Sequence, residues 1–503
     1  MTDSKSSNSR GLVRSMLVIG SAQVVNILVS VIRMKVLAVL LGPAGIGLFG
    51  IYKNLQQMIA SAAGLGIGFS GVRQIAVAHG DVETLNRVSR VLVAAHLIQG
   101  TLAMIAVWAF RHPIAIWLTD DASLATEIGL VGVAILLMLL ATAHITLLQG
   151  LRKIGDVGRV TVIGAITATL FGLLAVWWMG RSGLIWFLLV QPLANLVTAF
   201  FFIRKLPHRT CPAPLNSREI WEIWKPMVRL GVAFVAGGLA TTGTLLLAQA
   251  TITRELGLDA AGYFVAAWGV TMTYFGFLLN AMGTDYYPRL AEVIHDRHAA
   301  NQLMNDQAQL GLAIGGPMLL IMIGWAPWLI ALLYSNDFGL AITLLQWQAV
   351  GNVFKLASWP LSYSIVAAGL GKTMILMEIS FNVVFMLLIW WLLPTVGLEI
   401  VGVAFLVGYI VYFATVYFTV KYFQGFRWQA LSLKLFGLQV FLAFGLLALT
   451  LLAPTAGLII SPFVAAATAI VGLRIVLEKI GPEGRLARKF YAIYAKLGWH
   501  IKC

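Results

Sequence analysis

Charged side chains are scarce in this sequence: only 11% of its 503 residues are Asp, Glu, Lys or Arg. Soluble domains carry about 25% charged residues, and so few charges cannot cover a 54.6 kDa globule in water. Carboxylates are scarcest, with 20 Asp and Glu against 35 Lys and Arg, which gives a net charge of +15. Together with an apolar fraction of 60%, this excludes an ordinary soluble enzyme, a disordered chain and a nucleic-acid partner.

Cysteines and cofactor motifs are also lacking. Cys211 and Cys503 are too few and too far apart for a zinc or redox motif. The segment Gly369–Thr373 resembles the end of a phosphate-binding loop, but Val366 occupies the position of its first glycine. No loop between apolar runs is long enough for an extramembrane catalytic domain. We therefore predict no cofactor, no metal, no use of ATP and no enzymatic activity.

Long apolar runs are what the sequence has instead, with a mean hydropathy of +0.88. A membrane-spanning helix needs about 20 mostly apolar residues. Fourteen runs qualify, near residues 12–40, 44–72, 88–110, 124–150, 158–180, 183–203, 226–254, 258–287, 305–330, 338–369, 373–394, 400–422, 433–452 and 457–477. They predict an all-α polytopic membrane protein of about 14 transmembrane helices, although closely spaced pairs leave a count of twelve open.

Basic residues predict the orientation, because short cytoplasmic loops are enriched in Lys and Arg. Most Lys and Arg outside the apolar runs fall on the side of the N-terminus, and only Arg111, Arg181 and Arg254 fall on the other. Both termini are therefore predicted to be cytoplasmic. The excess positive charge is predicted to contact anionic membrane lipids.

Two weak internal similarities predict a repeat of six helices. Residues 41–49 resemble 256–264, an offset of 215, and residues 150–153 resemble 369–372, an offset of 219. An even number of helices gives both halves one orientation, as in transporters built from parallel repeats. The predicted organisation is listed in chain order: an N-terminal six-helix lobe (1–205), a cytoplasmic linker (206–225), a C-terminal six-helix lobe (226–425), and two additional helices with a basic tail (426–503).

Polar residues inside the runs recur every three or four positions, so that they share one face of a helix. They are Gln23, Asn26, Ser30 and Arg33 in the first run, Lys53 and Gln57 in the second, and Gln348, Asn352, Lys355, Trp359 and Ser362 in the tenth. We predict that these stripes line a cavity, with Asn26, Gln57, Gln348 and Asn352 as its neutral residues. Packing of Asn and Gln between helices stays open as the alternative.

Cations within the runs predict an anionic ligand. They are Arg33, Lys35, Lys53 and Lys355, whereas Glu378 is the one clear carboxylate. A buried cation needs an anion, and Lys355 has no obvious acidic partner, so the substrate is predicted to supply it. Arg33 and Lys35 lie about 200° apart around a helix and cannot face one cavity at the same depth; the stripe favours Arg33. Glu378 is the candidate for ion coupling.

Several segments resemble the O-antigen and enterobacterial-common-antigen lipid flippases, within the superfamily that also holds multidrug exporters. The segments are Lys35–Val39 with Leu41–Leu48, Trp347–Lys355 and, more weakly, Gly71–Arg73, Gly150–Arg152, Tyr287–Leu290 and Glu378. The similarity covers about residues 10–425. The sequence departs from the family's common members in its two spans after residue 430 and in Asn352, which stands where an acidic residue is often found.

The resemblance implies a flippase of the bacterial inner membrane. Its substrate would be an undecaprenyl-pyrophosphate-linked oligosaccharide, such as an O-antigen or exopolysaccharide repeat unit, moved by alternating access of two lobes and driven by an ion gradient or the membrane potential. It also implies Lys35 and Lys355 as the pyrophosphate-binding cations, and polysaccharide polymerase or chain-length machinery as candidate partners. The resemblance favours Lys35, whereas the helical stripe favours Arg33, so both residues stay candidates.

Three other readings remain. A cation-coupled multidrug exporter should place carboxylates in its cavity, and a glycan polymerase or ligase would need a large outer loop. A scaffold of a polysaccharide assembly complex could use the helices after residue 430 to dock a partner.

Overall fold

The computed structural model describes residues 3–205 and 216–480, together with Tyr494, and nearly all of them are helical. The helices are α1 (Asp3–Gly64), α2 (Ile67–Val77), α3 (Val82–Ala109), α4 (Arg111–Thr119), α5 (Ala125–Gly150), α6 (Ile154–Met179), α7 (Gly183–Arg204), α8 (Ser217–Leu256), α9 (Leu258–Val270), α10 (Gly276–Val293), α11 (Arg297–Gly324), α12 (Ala326–Leu333), α13 (Gly339–Ala367), α14 (Gly371–Val396), α15 (Glu399–Gln424), α16 (Ala430–Leu452) and α17 (Pro454–Ile480). The all-α prediction is confirmed. Cys211, Cys503, most of the predicted linker and the tail after residue 480 lie outside the described residues.

Ten helical stretches in these ranges are long and apolar enough to cross a membrane, and eleven if the bent pair Ser217–Val232 and Gly237–Leu256 counts as one span. Two of the ten are extended runs of 42 and 51 residues, Gln23–Gly64 and Ile154–Arg204. The protein is therefore a multi-pass membrane protein. Every predicted apolar run falls on helical structure, whereas the count of fourteen spans stays a prediction.

The chain forms two compact units. The first comprises Met1–Gly262 with Leu333–Asp337, and the second Tyr263–Leu332 with Phe338–Cys503. In the first unit α6 packs on α7 and α1, α3 on α5, and α8 on α1. In the second, α13 packs on α15 and α11, and α11 on α16 and α17. The predicted C-terminal lobe begins at residue 226, within α8, whereas α8 belongs to the first compact unit. The lobe boundaries based on the repeat stay a prediction.

Backbone conformation recurs where the sequence similarities lie. Gly42 interrupts α1 with φ 65° and ψ −167°, and Gly257, 215 residues later, ends α8 with φ 87° and ψ 174°. At the end of α5 the Lys153 amide donates to the Leu148 carbonyl at 2.8 Å, and at the end of α13 the Leu370 amide donates to Ile365 at 3.0 Å. Both are six-to-one hydrogen bonds of Schellman caps. This second correspondence has an offset of 217 rather than the predicted 219.

Replacing either connection glycine by alanine should destabilise the protein. We expect Gly42→Ala and Gly257→Ala each to lower the free energy of unfolding by about 1–3 kcal/mol, because these φ and ψ values suit glycine almost exclusively. No atom lies within 4 Å of a Cβ added at either position, so the effect arises from the backbone alone. Gly445→Ala is the control: it lies inside α16 in open space, where alanine favours the helix. Thermal unfolding in one detergent measures all three, and equal melting temperatures would contradict the expectation.

The C-terminal helices α16 and α17 approach α11 closely at small residues. A Cβ added at Gly316 would collide with the Gln439 amide of α16, and one added at Gly324 would collide with Ser461 of α17. Small residues at such contacts let helix backbones approach, which is the usual source of packing energy between helices in lipid.

Hydrogen bonds fix the same helices at one end of α11. Asn305 accepts from the Ser432 hydroxyl and the Gln429 amide, both at 2.8 Å, and Gln309 donates to Ser432 at 2.9 Å. Lys479 of α17 forms an ion pair with Asp306 of α11. The face that α16 and α17 turn toward α11 is therefore occupied and is not a free docking surface.

Candidate functional site

Lys355 lies on α13 beside aromatic rings of α15. Its Nζ is 5.2 Å from the centroid of the Tyr409 ring, and the side chain is half-buried. The Tyr409 ring packs against Phe381 at 4.4 Å and Phe405 at 4.7 Å between centroids, which fixes its position. A cation over an aromatic face gains about 0.5–2 kcal/mol, which offsets only part of the desolvation of an ammonium.

Glu378 of α14 shares this environment. Its Oε1 accepts a hydrogen bond from the Tyr412 hydroxyl at 3.2 Å, and its carboxylate interacts electrostatically with Lys355. No direct ion pair joins the two within the described chain. Packing of α13 and α14 on α15 thus brings a carboxylate into the neighbourhood of Lys355 without forming an ion pair with it.

Gln348 and Asn352 lie on α13 with Lys355 but are 0% exposed. The Gln348 Oε1 accepts from the Thr271 hydroxyl at 2.7 Å, which is a helix-packing contact of the predicted alternative kind. Both amide atoms of Asn352 are buried without a hydrogen-bond partner. In this conformation the two residues border no open space, and their role as cavity residues stays a prediction.

Arg33 of α1 contacts only neutral groups in the first unit. Its guanidinium donates to Gln191 Oε1 of α7 at 3.2 Å and to the Ser30 hydroxyl at 3.3 Å, and it lies 5.3 Å from the centroid of the Phe187 ring. The bond to Ser30 confirms that these two stripe residues share a face. Lys35 is half-buried like Arg33, so the choice between them stays open.

Lys53 lies within electrostatic range of Arg33. No carboxylate contacts either one within residues 3–205 and 216–480. Lys53 and Gln57 are both exposed, one helical turn apart on α1. A lysine exposed to hydrocarbon would cost about 2.5–3.5 kcal/mol, so we expect this face to meet water. Asn26 is half-buried, and its Oδ1 lacks a partner.

The structure thus groups four of the five predicted charged site residues, all except Lys35, into two sets, each within its own unit. Arg33 and Lys53 are neighbours in the first, and Lys355 and Glu378 in the second. Sequence reasoning missed Tyr409 and Tyr412; two tyrosines three residues apart in an apolar run were the available signal. No group of His, Cys, Asp or Glu able to hold a metal occurs among the described side chains.

Comparison with known proteins places this fold. The lipid III flippases of Escherichia coli (strain K12) and Shigella flexneri are each 26% identical to this chain over 399 residues, which cover 76% of this chain and 91% of each relative. Among solved structures, an inward-facing multidrug resistance MATE family transporter of the MOP superfamily matches with a TM-score of 0.65 and 17% identity, over 80% of this chain and 95% of that chain. The lipid II flippase MurJ, in an inward closed conformation, matches with a TM-score of 0.61 and 13% identity, over 93% of this chain and 99% of that chain.

The two solved structures show that the fold is shared with membrane transporters. A family model described as polysaccharide biosynthesis protein matches residues 12–294, which is more than half of the sequence. Its match and the flippase relatives agree with the resemblance noted in Lys35–Val39 and Leu41–Leu48. The chain therefore belongs to the polysaccharide biosynthesis protein family.

Proposed function

We propose that this protein is a flippase that moves a lipid-linked oligosaccharide across the bacterial inner membrane. The observation that carries the proposal is the pair Arg33 and Lys53: two cations within the apolar run of α1, of which Arg33 contacts only neutral groups and neither forms an ion pair among the described residues. An anion beside them would stabilise both, and phosphate oxygens suit a guanidinium especially well. The relation to lipid III flippases over 91% of their length supports a glycan carried on a lipid.

The substrate we propose is an undecaprenyl-pyrophosphate-linked glycan. Its pyrophosphate supplies the anion for Arg33, Lys53 and Lys355, with Lys35 as the alternative to Arg33. The glycan needs a polar path, to which the exposed Gln57 and the half-buried Asn26 contribute. Binding of this protein to polysaccharide polymerase or chain-length machinery stays a prediction.

Glu378 is the proposed point of ion coupling. Its carboxylate interacts with Lys355 and accepts a hydrogen bond from Tyr412. While ionised, it competes with a phosphate for the Lys355 ammonium; a proton or monovalent cation on the carboxylate removes that competition. Uptake of the ion would therefore favour binding of the anionic substrate at Lys355.

A cation-coupled multidrug exporter is the second candidate, because the fold is shared with a MATE family transporter. Exporters of cationic drugs need an anionic binding site, since a cationic ligand would repel Arg33 and Lys53. A scaffold that docks partners through α16 and α17 is less favoured, because α11 covers one face of both helices. The flippase accounts for more of the charged residues than either alternative.

Reconstitution tests the proposal directly. Proteoliposomes with purified protein and a fluorescent undecaprenyl-pyrophosphate-linked sugar should show transbilayer movement when an ion gradient or membrane potential is imposed, without ATP. Liposomes lacking the protein give the background, and a cationic dye in the same vesicles tests the exporter. Movement of the dye but not of the lipid-linked sugar would contradict the flippase, and a requirement for ATP would contradict gradient coupling.

The proposed orientation places both termini in the cytoplasm. We expect reporter fusions after Asp121 and Asn336 to read periplasmic, and fusions after Asn216 and at the C-terminus to read cytoplasmic, because the basic loops stay inside. Paired alkaline phosphatase and green fluorescent protein fusions measure this at each site. A periplasmic C-terminus would mean that the number of spans is odd and the orientation wrong.

A further inference from the structure

A cavity of about 850 Å³ opens at one end of the first unit. Its lining includes neither Arg33 nor Lys53. Its walls come from the end of α2, the start of α3 and the first half of α8. This volume is typical of sites that hold small molecules or lipid headgroups, which occupy about 300–1,000 Å³. The lining residues with charge are Arg73 of α2, Arg229 of α8 and Asp81 before α3.

Arg73 and Arg229 differ from neighbouring arginines in having no ion pair. In the same region Arg87 contacts Glu83 at 2.6 Å and Glu219 at 3.6 Å, and Arg218 contacts Glu222 at 3.2 Å. Carboxylates are thus available nearby, yet neither cavity arginine has a hydrogen bond or ion pair in the described part of the chain. Both guanidiniums are exposed and keep their donors for a ligand.

Asp81 is the one carboxylate of the lining, and its oxygens are engaged by groups of its own helix rather than by the two arginines. It accepts from the Thr84 hydroxyl at 2.5 Å and from the Glu83 amide at 3.0 Å as the N-cap of α3. These hydrogen bonds, that from Thr84 first, hold the pKa of Asp81 below its usual value. The cavity therefore presents two free guanidiniums beside one carboxylate that is committed to its own helix.

Five of the seven other lining residues are apolar, and the remaining two are Gln74 and Thr84; this largely apolar wall favours an amphiphile over a free anion. Val77, Val88, Pro226 and Leu230 line the cavity, and Val77 is 81% exposed. Helix α3, which is long and apolar enough to span a membrane, begins at Val82, and its first turns carry Glu83 and Arg87; we therefore expect the cavity to lie near the level of the lipid headgroups. The first half of α8 bends by 61° from its second half at this level.

We propose that this cavity binds the phosphate of a lipid headgroup, with Arg73 and Arg229 holding its oxygens and the apolar wall contacting the start of the lipid tail. Each guanidinium can hold two phosphate oxygens at once, so two arginines that line one cavity suit a phosphate. The predicted topology puts the cavity at the cytoplasmic leaflet. The phosphate has two sources there: an anionic phospholipid, or the pyrophosphate of the lipid-linked glycan, and the second identification rests on the proposed function.

Native mass spectrometry of the purified protein tests the site with undecaprenyl pyrophosphate, phosphatidylglycerol and inorganic pyrophosphate as probes. The test variant is Arg73→Gln with Arg229→Gln. The matched control is Arg218→Gln, which removes an exposed arginine of the same helix that already pairs with Glu222. We expect the double variant to bind lipid phosphate about a hundredfold more weakly, since each charge-assisted hydrogen bond accounts for about tenfold or more, while the control binds like wild type.

Each result assigns or removes the site. If the double variant no longer binds either lipid, the site is supported. If the wild-type protein binds undecaprenyl pyrophosphate more tightly than phosphatidylglycerol, the cavity is a loading site for the substrate. If it binds the two lipids equally tightly, the cavity is a phospholipid site. Wild-type affinity of the double variant for both lipids would overturn the proposal. Inorganic pyrophosphate that binds as tightly as the lipids would overturn the amphiphile assignment.

Transport assays separate this inference from the proposed function. At a loading site, the double variant should need a higher substrate concentration for half-maximal flipping and keep its maximal rate. If the wild type binds lipid through the two arginines but moves no lipid-linked sugar, the proposed function fails and the site stands. If the double variant binds and flips like wild type, the site fails and the function stands.

Discussion

Lys355→Ala is expected to lower the rate of lipid-linked oligosaccharide transport by about 10- to 100-fold, as loss of a charge-assisted contact of about 1.5–3 kcal/mol implies. Lys355→Arg should retain part of the activity, because arginine keeps the charge but not the compact ammonium. The Lys355 Nζ lies over Tyr409, and this contact offsets only part of the desolvation of the ammonium. Initial rates in proteoliposomes of equal protein content measure the effect.

The neighbouring carboxylate makes a second variant necessary. If Lys355 only compensates the charge of Glu378, then Lys355→Ala combined with Glu378→Gln should transport as well as Glu378→Gln alone, because no uncompensated charge would remain. If Lys355 binds the pyrophosphate, the double variant should stay as inactive as Lys355→Ala. We expect the second result.

Lys421 provides the matched control for this experiment. It is an exposed lysine near the end of α15 whose Nζ lies 5.8 Å from the Tyr417 ring centroid, so it shares the cation–aromatic contact but not the site. Lys421→Ala should transport normally. Normal transport by Lys355→Ala at wild-type abundance would remove Lys355 from the substrate path.

Helix existence and several connections were predictable because they depend on local sequence. Apolar length predicts a span, and a glycine such as Gly42 or Gly257 marks a turn that other residues avoid. The run predicted over 44–72 was less accurate, because Leu65 and Gly66 adopt left-handed conformations and end the helix there. Gly66 also approaches the backbone of Gly231, a tertiary contact that periodicity cannot reveal.

The site was harder to predict, because helical spacing shows which residues share a face but not what that face meets. Gln348 and Lys355 share a stripe, yet one is fully buried against Thr271 and the other is half-buried beside Tyr409. Lys355 and Glu378 are 23 residues apart on different helices, and only packing on α15 makes them neighbours. In lipid, polar faces suit both helix contacts and aqueous cavities, so the pattern alone does not separate the two.

Gln191→Glu is expected to lower transport by at least about tenfold while it maintains or raises the melting temperature. Gln191 already accepts from the Arg33 guanidinium at 3.2 Å, so a carboxylate at this position would pair with Arg33 directly. The internal anion would relieve the repulsion between Arg33 and Lys53, but it would also compete with the pyrophosphate for both cations. A charge-assisted pair of about 1.5–3 kcal/mol is enough to displace a substrate phosphate by at least tenfold.

Gln191→Met is the matched control, because methionine has a similar size and removes the hydrogen bond to Arg33 without adding charge. If Arg33 serves helix packing, Gln191→Met should be the damaging change and Gln191→Glu the harmless one, since the carboxylate still accepts the bond. If Arg33 and Lys53 bind the substrate, the order is reversed, and Gln191→Met keeps most of its activity. Melting temperatures and initial flipping rates measured on the same preparations separate the two roles. If the Gln191→Glu protein flips lipid-linked oligosaccharide at the wild-type rate, then Arg33 and Lys53 do not bind the transported lipid.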